Sequence, residues 1–207
     1  MHFPPDIDAS ILQAWNGCPK ETIQASLAEV FGKMPESSAP KQPEPLLEPV
    51  GTITIPAATA RFIARDRFVV NISPAAPVKI SYIGDNFAEW FLKDDGKTED
   101  PIGEQTLRYA RLRQSSVDGP IISELGGEAK AETTLTEMFA LMERQSKGEA
   151  GILLTDGYAN IFYVRDIAGL FRAVYPYWYG DGWYVFAGSV EDPGWWYGGY
   201  RVFSSNS

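Results

Sequence analysis

The chain is poor in the side chains that most often carry chemistry. Its 207 residues include one cysteine, Cys18, and one histidine, His2. A lone cysteine excludes an intramolecular disulfide, so stability must come from packing. With the one histidine at the extreme N-terminus, a Ser-His-Asp or Cys-His relay and a histidine-ligated zinc are not expected. Cys18 has no base beside it and reads as a small buried or incidental residue. Cations are scarce as well: 18 Lys and Arg stand against 27 Asp and Glu, a formal net charge of -9. Nucleic acids and anionic membranes need clustered Lys and Arg to displace counterions, so neither is an expected partner. Apolar runs are short, far below the roughly 18 residues of a transmembrane helix. Asp6 and Asp8 stand where a secretory leader would be basic. The expectation is a chain without membrane insertion, cytoplasmic as made, with association with a virion left open. A nucleotide fingerprint is missing too, because Gly126-Gly127 has no following Lys-Ser/Thr. No cofactor is expected.

What is present suits a folded domain, with 44% hydrophobic and 22% charged residues. Ile7, Ile11, Leu12 and Trp15, then Ile23, Leu27, Val30, Phe31 and Met34, fall at helical spacing and predict two short helices. Five prolines between Pro35 and Pro49 forbid helix and predict a linker or strap. A boundary near residue 50 follows: residues 1–50 carry the N-terminal helices and linker, and 51–207 form the main domain. From Val50 onward β-branched alternation predicts strands in 50–57, 61–72 and 78–83. Asp85 is placed as the N-cap of a helix presenting Phe87, Trp90 and Phe91. Thr134 and Glu137 make a capping box ahead of Leu135, Met138, Phe139 and Met142, a helix for which Gly148 is the expected stop. Residues 106–114 and 120–125 read as weaker strands. After Gly148 the chain reads as β throughout, 151–157 included, with Gly169 turning a hairpin. The fold class is α+β.

The terminal segment differs from the rest. Thirteen of 27 aromatic residues and six glycines fall in Phe171 to Ser207, which has no lysine. Tyr175, Tyr177 and Tyr179 recur with period two, as do Tyr184, Phe186 and Gly188, interleaved with Val185 and Ala187. A strand sends the two sets to opposite faces. If Val185 and Ala187 face the core, a row of large aromatics faces outward, a costly exposure unless it binds something. Tyrosine and tryptophan suit that role, with wide apolar faces and one polar handle. The competing reading is core filling, which is favoured for Trp178, Trp183 and Trp196.

On these residues the chain resembles the variable proteins of diversity-generating retroelements, most sharply over Arg172 to Ser207. The resemblance implies a C-type-lectin-like domain with two main helices and a mixed, largely antiparallel sheet, preceded by short N-terminal helices. It also implies a hypervariable segment, 172–207, in which adenine-directed substitution turns Asn-type codons into Tyr, Asp, Ser, Gly, Ala or Phe, a repertoire without Lys or Glu. A fixed frame would be Trp178, Gly182-Trp183, Val185, Ala187, Ser189-Val190-Glu191, Pro193, Trp196, Gly199 and Arg201-Val202-Phe203-Ser204. The ligand-facing positions would be Tyr175, Tyr177, Tyr179, Gly180, Asp181, Tyr184, Phe186, Gly188, Tyr197, Gly198 and Tyr200. Trp195, whose codon lies outside that route, is assigned to scaffold or to another source codon. The calcium-site motifs of true lectins are missing, so no metal is expected in the surface.

The expected function is recognition of a protein or cell-surface ligand by a non-enzyme, with oligomeric state left open. Two alternatives stand beside it. One is a carbohydrate-binding module or glycosidase, whose acid pair would be Glu191 with Asp192, Asp94 with Asp95, or Asp156 with Asp166. The other is a structural virion component whose aromatic face is an oligomer interface.

Overall fold

A computed structural model describes residues 44–192 and 194–206. The two helices expected before residue 35, and His2, Cys18 and Pro193, lie outside them. The main unit begins at Pro45. Its first strand, β1 (Leu47–Ile55), starts within the stretch read as a proline strap and pairs antiparallel with β5 (Gln105–Leu112). A bulge between Pro49 and Gly51 accommodates the last of those prolines.

Two layers of aliphatic and aromatic side chains enclose a seven-stranded sheet, ordered β1-β5-β9-β6-β7-β8-β3. Its members are β3 (Ile80–Ile83), β6 (Asn160–Arg165), β7 (Phe171–Tyr179), β8 (Gly182–Ser189) and β9 (Arg201–Ser205), with the two already given. Four of its interfaces are antiparallel, whereas β3–β8 and β6–β9 are parallel. A separate two-stranded ladder joins β2 (Phe62–Ile63) to β4 (Thr98–Glu99). The architecture is α+β with a mixed, mostly antiparallel sheet.

Five α-helices accompany it among the described residues. The longest, α5 (Leu135–Arg144), starts at the predicted capping box: Thr134 accepts from the Glu137 amide, and Glu137 accepts from the Thr134 amide. Glu99 reaches in from β4 and accepts from the amides of Leu135 and Thr136, so most first-turn donors are satisfied. Leu135, Met138, Phe139 and Met142 bury against the sheet as their spacing demands. The helix stops at Gln145 and not at Gly148, which takes its positive φ in the turn beyond. Helix α2 (Asp85–Phe87) runs on as a π-helical turn, Ala88–Leu92, burying Phe87 and Phe91 in the same layer. Its cap is Gly84; Asp85 is the first helical residue.

Three further expectations are corrected. Residues 61–72 form two strand residues and then α1 (Ala64–Arg67), because Ala64 and Phe68 bury at i, i+4 while Arg65, Asp66 and Arg67 face water, a helical pattern. Residues 120–125 belong to α3 (Asp118–Leu125), ended by Gly126 in the left-handed conformation and followed by α4 (Glu128–Ala131). Residues 151–157 are a loop. It is held by side chains instead of a ladder: Gln145 bonds both the amide and carbonyl of Leu153, and Asn160 does the same for Leu154. Gly169, with φ 78°, does turn the β6–β7 hairpin.

Candidate binding surface

The two faces of the sheet are covered unequally. On one, α2 and α5 roof the whole β6–β7–β8 region, burying Phe162, Val174, Trp183, Val185 and Ala187. On the other, α3 and α4 contribute Ile121 and Ala131 to a layer with Leu112, Ile161, Tyr163, Phe171, Ala173, Trp196 and Val202. That cover ends partway along β7, at Tyr175, and reaches no residue of β8 or β3. Beyond it the sheet faces solvent.

The β7–β8 register fixes what stands there. Tyr175 pairs with Phe186, Tyr177 with Tyr184 and Tyr179 with Gly182. Alternation therefore sets all the period-two aromatics on the uncovered face and Trp183, Val185 and Ala187 beneath. Rings meet across the strands: Tyr177 stacks on Tyr184 at 5.5 Å and on Phe186 at 5.8 Å, and Tyr175 stacks on Phe186 at 5.6 Å. Tyr175, Tyr177, Tyr184, Phe186 and Tyr200 are half-buried, while Tyr179 and Tyr197 are 66% and 61% exposed.

The loop between β8 and β9 folds over one end of this row. Backbone bonds in both directions tie Trp196 to Ser116, and its indole N–H donates to Asp118 at 2.7 Å. The same carboxylate oxygen accepts from the Tyr163 hydroxyl at 2.8 Å. Burial raises the Asp118 carboxyl above the usual range against the pull of these two bonds. Trp196 thus stands as a fixed wall, 4.9 Å from Tyr175 and at 77° to it. Between wall and row lies a cleft of about 580 Å³ lined by Tyr175, Tyr177, Tyr179, Tyr184, Trp195, Trp196 and Tyr200, with Gly157 and Ala159. A second hollow of about 420 Å³ adjoins it through Gly157 and Tyr200 and is bordered by Asp156, Tyr158 and Tyr197. Burial, reinforced by neighbouring tyrosines, raises the phenols of Tyr175, Tyr177 and Tyr200, which stay neutral.

The remaining candidate positions are glycines and one acid at the edges. Gly180, with φ 63°, sits in the β7–β8 turn, and Asp181 beside it accepts from the Ser81 hydroxyl. A Cβ at Gly180 or Gly188 would meet nothing within 4 Å. Gly198 stands apart: a Cβ there would lie 3.1 Å from the Arg113 carbonyl oxygen. The frame glycines are tighter. At Gly182 a Cβ would collide with Ser81, whose amide nitrogen would be 2.9 Å away, and Gly199 combines φ 99° with the Tyr158 ring at 3.0 Å. Trp183 is fully buried, donating to the Gln145 carbonyl, and Trp178 is half-buried edge-on to it.

Sequence reasoning missed three members of the surface. Tyr82, on β3, is 42% exposed and lies 5.8 Å from Tyr184 and 5.5 Å from Phe186, continuing the row onto a third strand. No local alternation signals it: Ile80, two residues earlier, is buried, and a register shift between the two turns Tyr82 outward. Tyr158 meets Tyr200 edge-on at the far end. Trp195, read as scaffold or as diversified from another codon, is 67% exposed and lines the cleft.

The acid pairs weighed for glycoside hydrolysis do not converge here. Asp166 is buried at the β6–β7 turn, ion-paired with Arg172 at 2.8 Å, whereas Asp156 lies before the start of β6. A six-residue strand separates them by roughly 20 Å, against the roughly 5–9.5 Å that the reaction needs. Asp94 and Asp95 occupy an exposed turn after the π-helical residues Ala88–Leu92, and Glu191 and Asp192 are exposed in the β8–β9 loop. Among the described residues no three His, Cys, Asp or Glu side chains converge on a metal position, and no helix is long and apolar enough to cross a membrane. No protein-family model, curated protein or solved structure matches the chain.

Proposed function

We propose that this chain is a ligand-recognition protein of the diversity-generating retroelement type, with a C-type-lectin-like domain whose segment 172–207 changes specificity by substitution on a constant frame. The observation that carries the reading is the β7–β8 pair itself. Every large period-two residue assigned to the ligand side lies on the uncovered face, and the interleaved frame residues Trp183, Val185 and Ala187 are buried against α2 and α5. The glycine environments support the same division, since Gly188 has free space where Gly182 has none. A surface of this kind exchanges side chains without disturbing its core, which is the physical requirement for altering specificity at constant fold. Its chemistry is that of recognition: neutral aromatic rings with polar tips, the residue types that dominate interface hot spots. The partner is a protein or cell-surface ligand.

The test begins with the coding DNA. Codons 175–200 should align with a nearby imperfect repeat whose mismatches fall only at template adenines; mismatches scattered over all four bases, or no such repeat, defeat the retroelement reading. The binding reading is tested separately, with a displayed library randomised at Tyr177, Tyr179, Tyr184, Phe186, Gly188 and Tyr197. Folded members selected on different proteins should carry different residues at these positions; the same residues recurring whatever the target would defeat the binding reading.

A further inference from the structure

The cleft is closed on several sides by π faces and contains no charged group among its lining residues. Its walls meet steeply: Tyr179 to Tyr184 at 82°, Tyr175 to Trp196 at 77°, Trp196 to Tyr200 at 60°. Tyr177 and Tyr184, stacked at 15°, form a floor of π faces, and the steeply crossed rings stand beside it as walls. A cation within about 6 Å of such faces is attracted by all of them, most strongly when it is partly desolvated. The surrounding charge has the complementary sign. The chain carries a net charge of -9, and Asp156 borders the adjoining hollow, its carboxylate also acting on the Arg201 guanidinium. The neighbouring cations have other partners as well: Arg201 donates to the Ile152 carbonyl and lies over Tyr109, and Arg172 is held between Asp166 and the Trp90 ring.

We propose that the cleft is an aromatic box for an organic cation, the guanidinium or ammonium of an Arg or Lys side chain presented by a protein partner, with Asp156 as the flanking countercharge. The proposal rests on the reading of this face as a binding surface and narrows it to a basic epitope.

The probe is N-acetyl-Gly-Arg-Gly amide, titrated at millimolar concentration into the full chain and followed by aromatic NMR shifts. The control peptide carries citrulline, a neutral isostere, in place of arginine. The arginine peptide should shift the rings of Tyr177, Tyr179 and Tyr200 and bind roughly tenfold more tightly than the citrulline peptide. Tyr179→Leu, an exposed change that keeps an apolar wall but removes the quadrupole, should abolish most of that preference, and Asp156→Asn should reduce it. Equal binding of both peptides overturns the cation and leaves the binding surface standing. Binding of neither peptide, or shifts confined to residues outside the cleft, overturns the proposal as well. The library selection is unaffected by either result, so the two readings fail independently.

Discussion

Trp183 and Tyr184 are neighbours in sequence, both large and aromatic, yet one is fully buried and the other half-exposed in a tyrosine row. The difference lies in what covers the two faces of β8. Helices α2 and α5 roof one face completely, while the α3–α4 cover on the other stops at Tyr175. Composition alone assigns the segment one character. Topology divides it into a layer that cannot change and a layer that can.

The comparison can be broken by substitutions chosen from each layer. The largest effect is expected on the closed face, where Trp183→Ala removes a fully buried indole and its bond to Gln145. A loss of ~3–5 kcal/mol in denaturant unfolding is expected; a loss below ~1 kcal/mol would show that this face is not the core. Gly182→Ala comes next, because its Cβ would press on the Ser81 amide and disturb the parallel β3–β8 pair. It should cost ~1–3 kcal/mol, read as a shift in transition midpoint. A subtler effect belongs to the oxygen that pins Trp196. The folded state holds the Asp118 proton more tightly than the unfolded chain, so this group makes stability fall as pH rises from the ordinary carboxylate value through its higher folded value. Asp118→Asn keeps an acceptor oxygen for Trp196 and Tyr163 and removes the titration. Over that window its stability should fall less steeply than wild type, without loss at neutral pH; parallel pH profiles would contradict the assignment. The smallest effects are expected on the open face, with Gly188→Tyr and Tyr179→Ser each within ~0.5 kcal/mol of wild type by thermal melt.

How much of this was legible in the sequence follows from the range of the interactions. Helix α5 was readable because its signal is local: Thr134 and Glu137 cap each other three residues apart, and the apolar stripe is helical. Strands β7 and β8 were readable because alternation survives any register. Segment 120–125 misled because a short apolar run with two isoleucines fits strand or helix equally, and the choice was made by the long-range contact of Ile121 with the sheet. Residues 61–72 misled because no Gly or Pro interrupts them, although three charges in succession argued against a half-buried strand. At the site, the ring-bearing positions of β7 and β8 were visible, whereas Tyr82 joins them through a parallel pairing across about 100 residues, which no local pattern records. Trp195 and Trp196 are identical neighbours, and in the structure Ser116 and Asp118 hold only the second of them down.

The order of the sheet also has a consequence for how the chain is made. Strand β9 follows the aromatic segment in sequence but lies between β5 and β6, and it alone joins the β1–β5 pair to the β6–β7–β8–β3 block. The two blocks lack the ladder between them on the nascent chain until residues 201–205 have left the ribosome, and the long-range pairing makes that last step slow. A stop codon or frameshift anywhere in 175–200 removes the joining strand together with Phe203 and the rest of its contribution to both layers. Every copy that completes the sheet has therefore been read in frame through its aromatic segment.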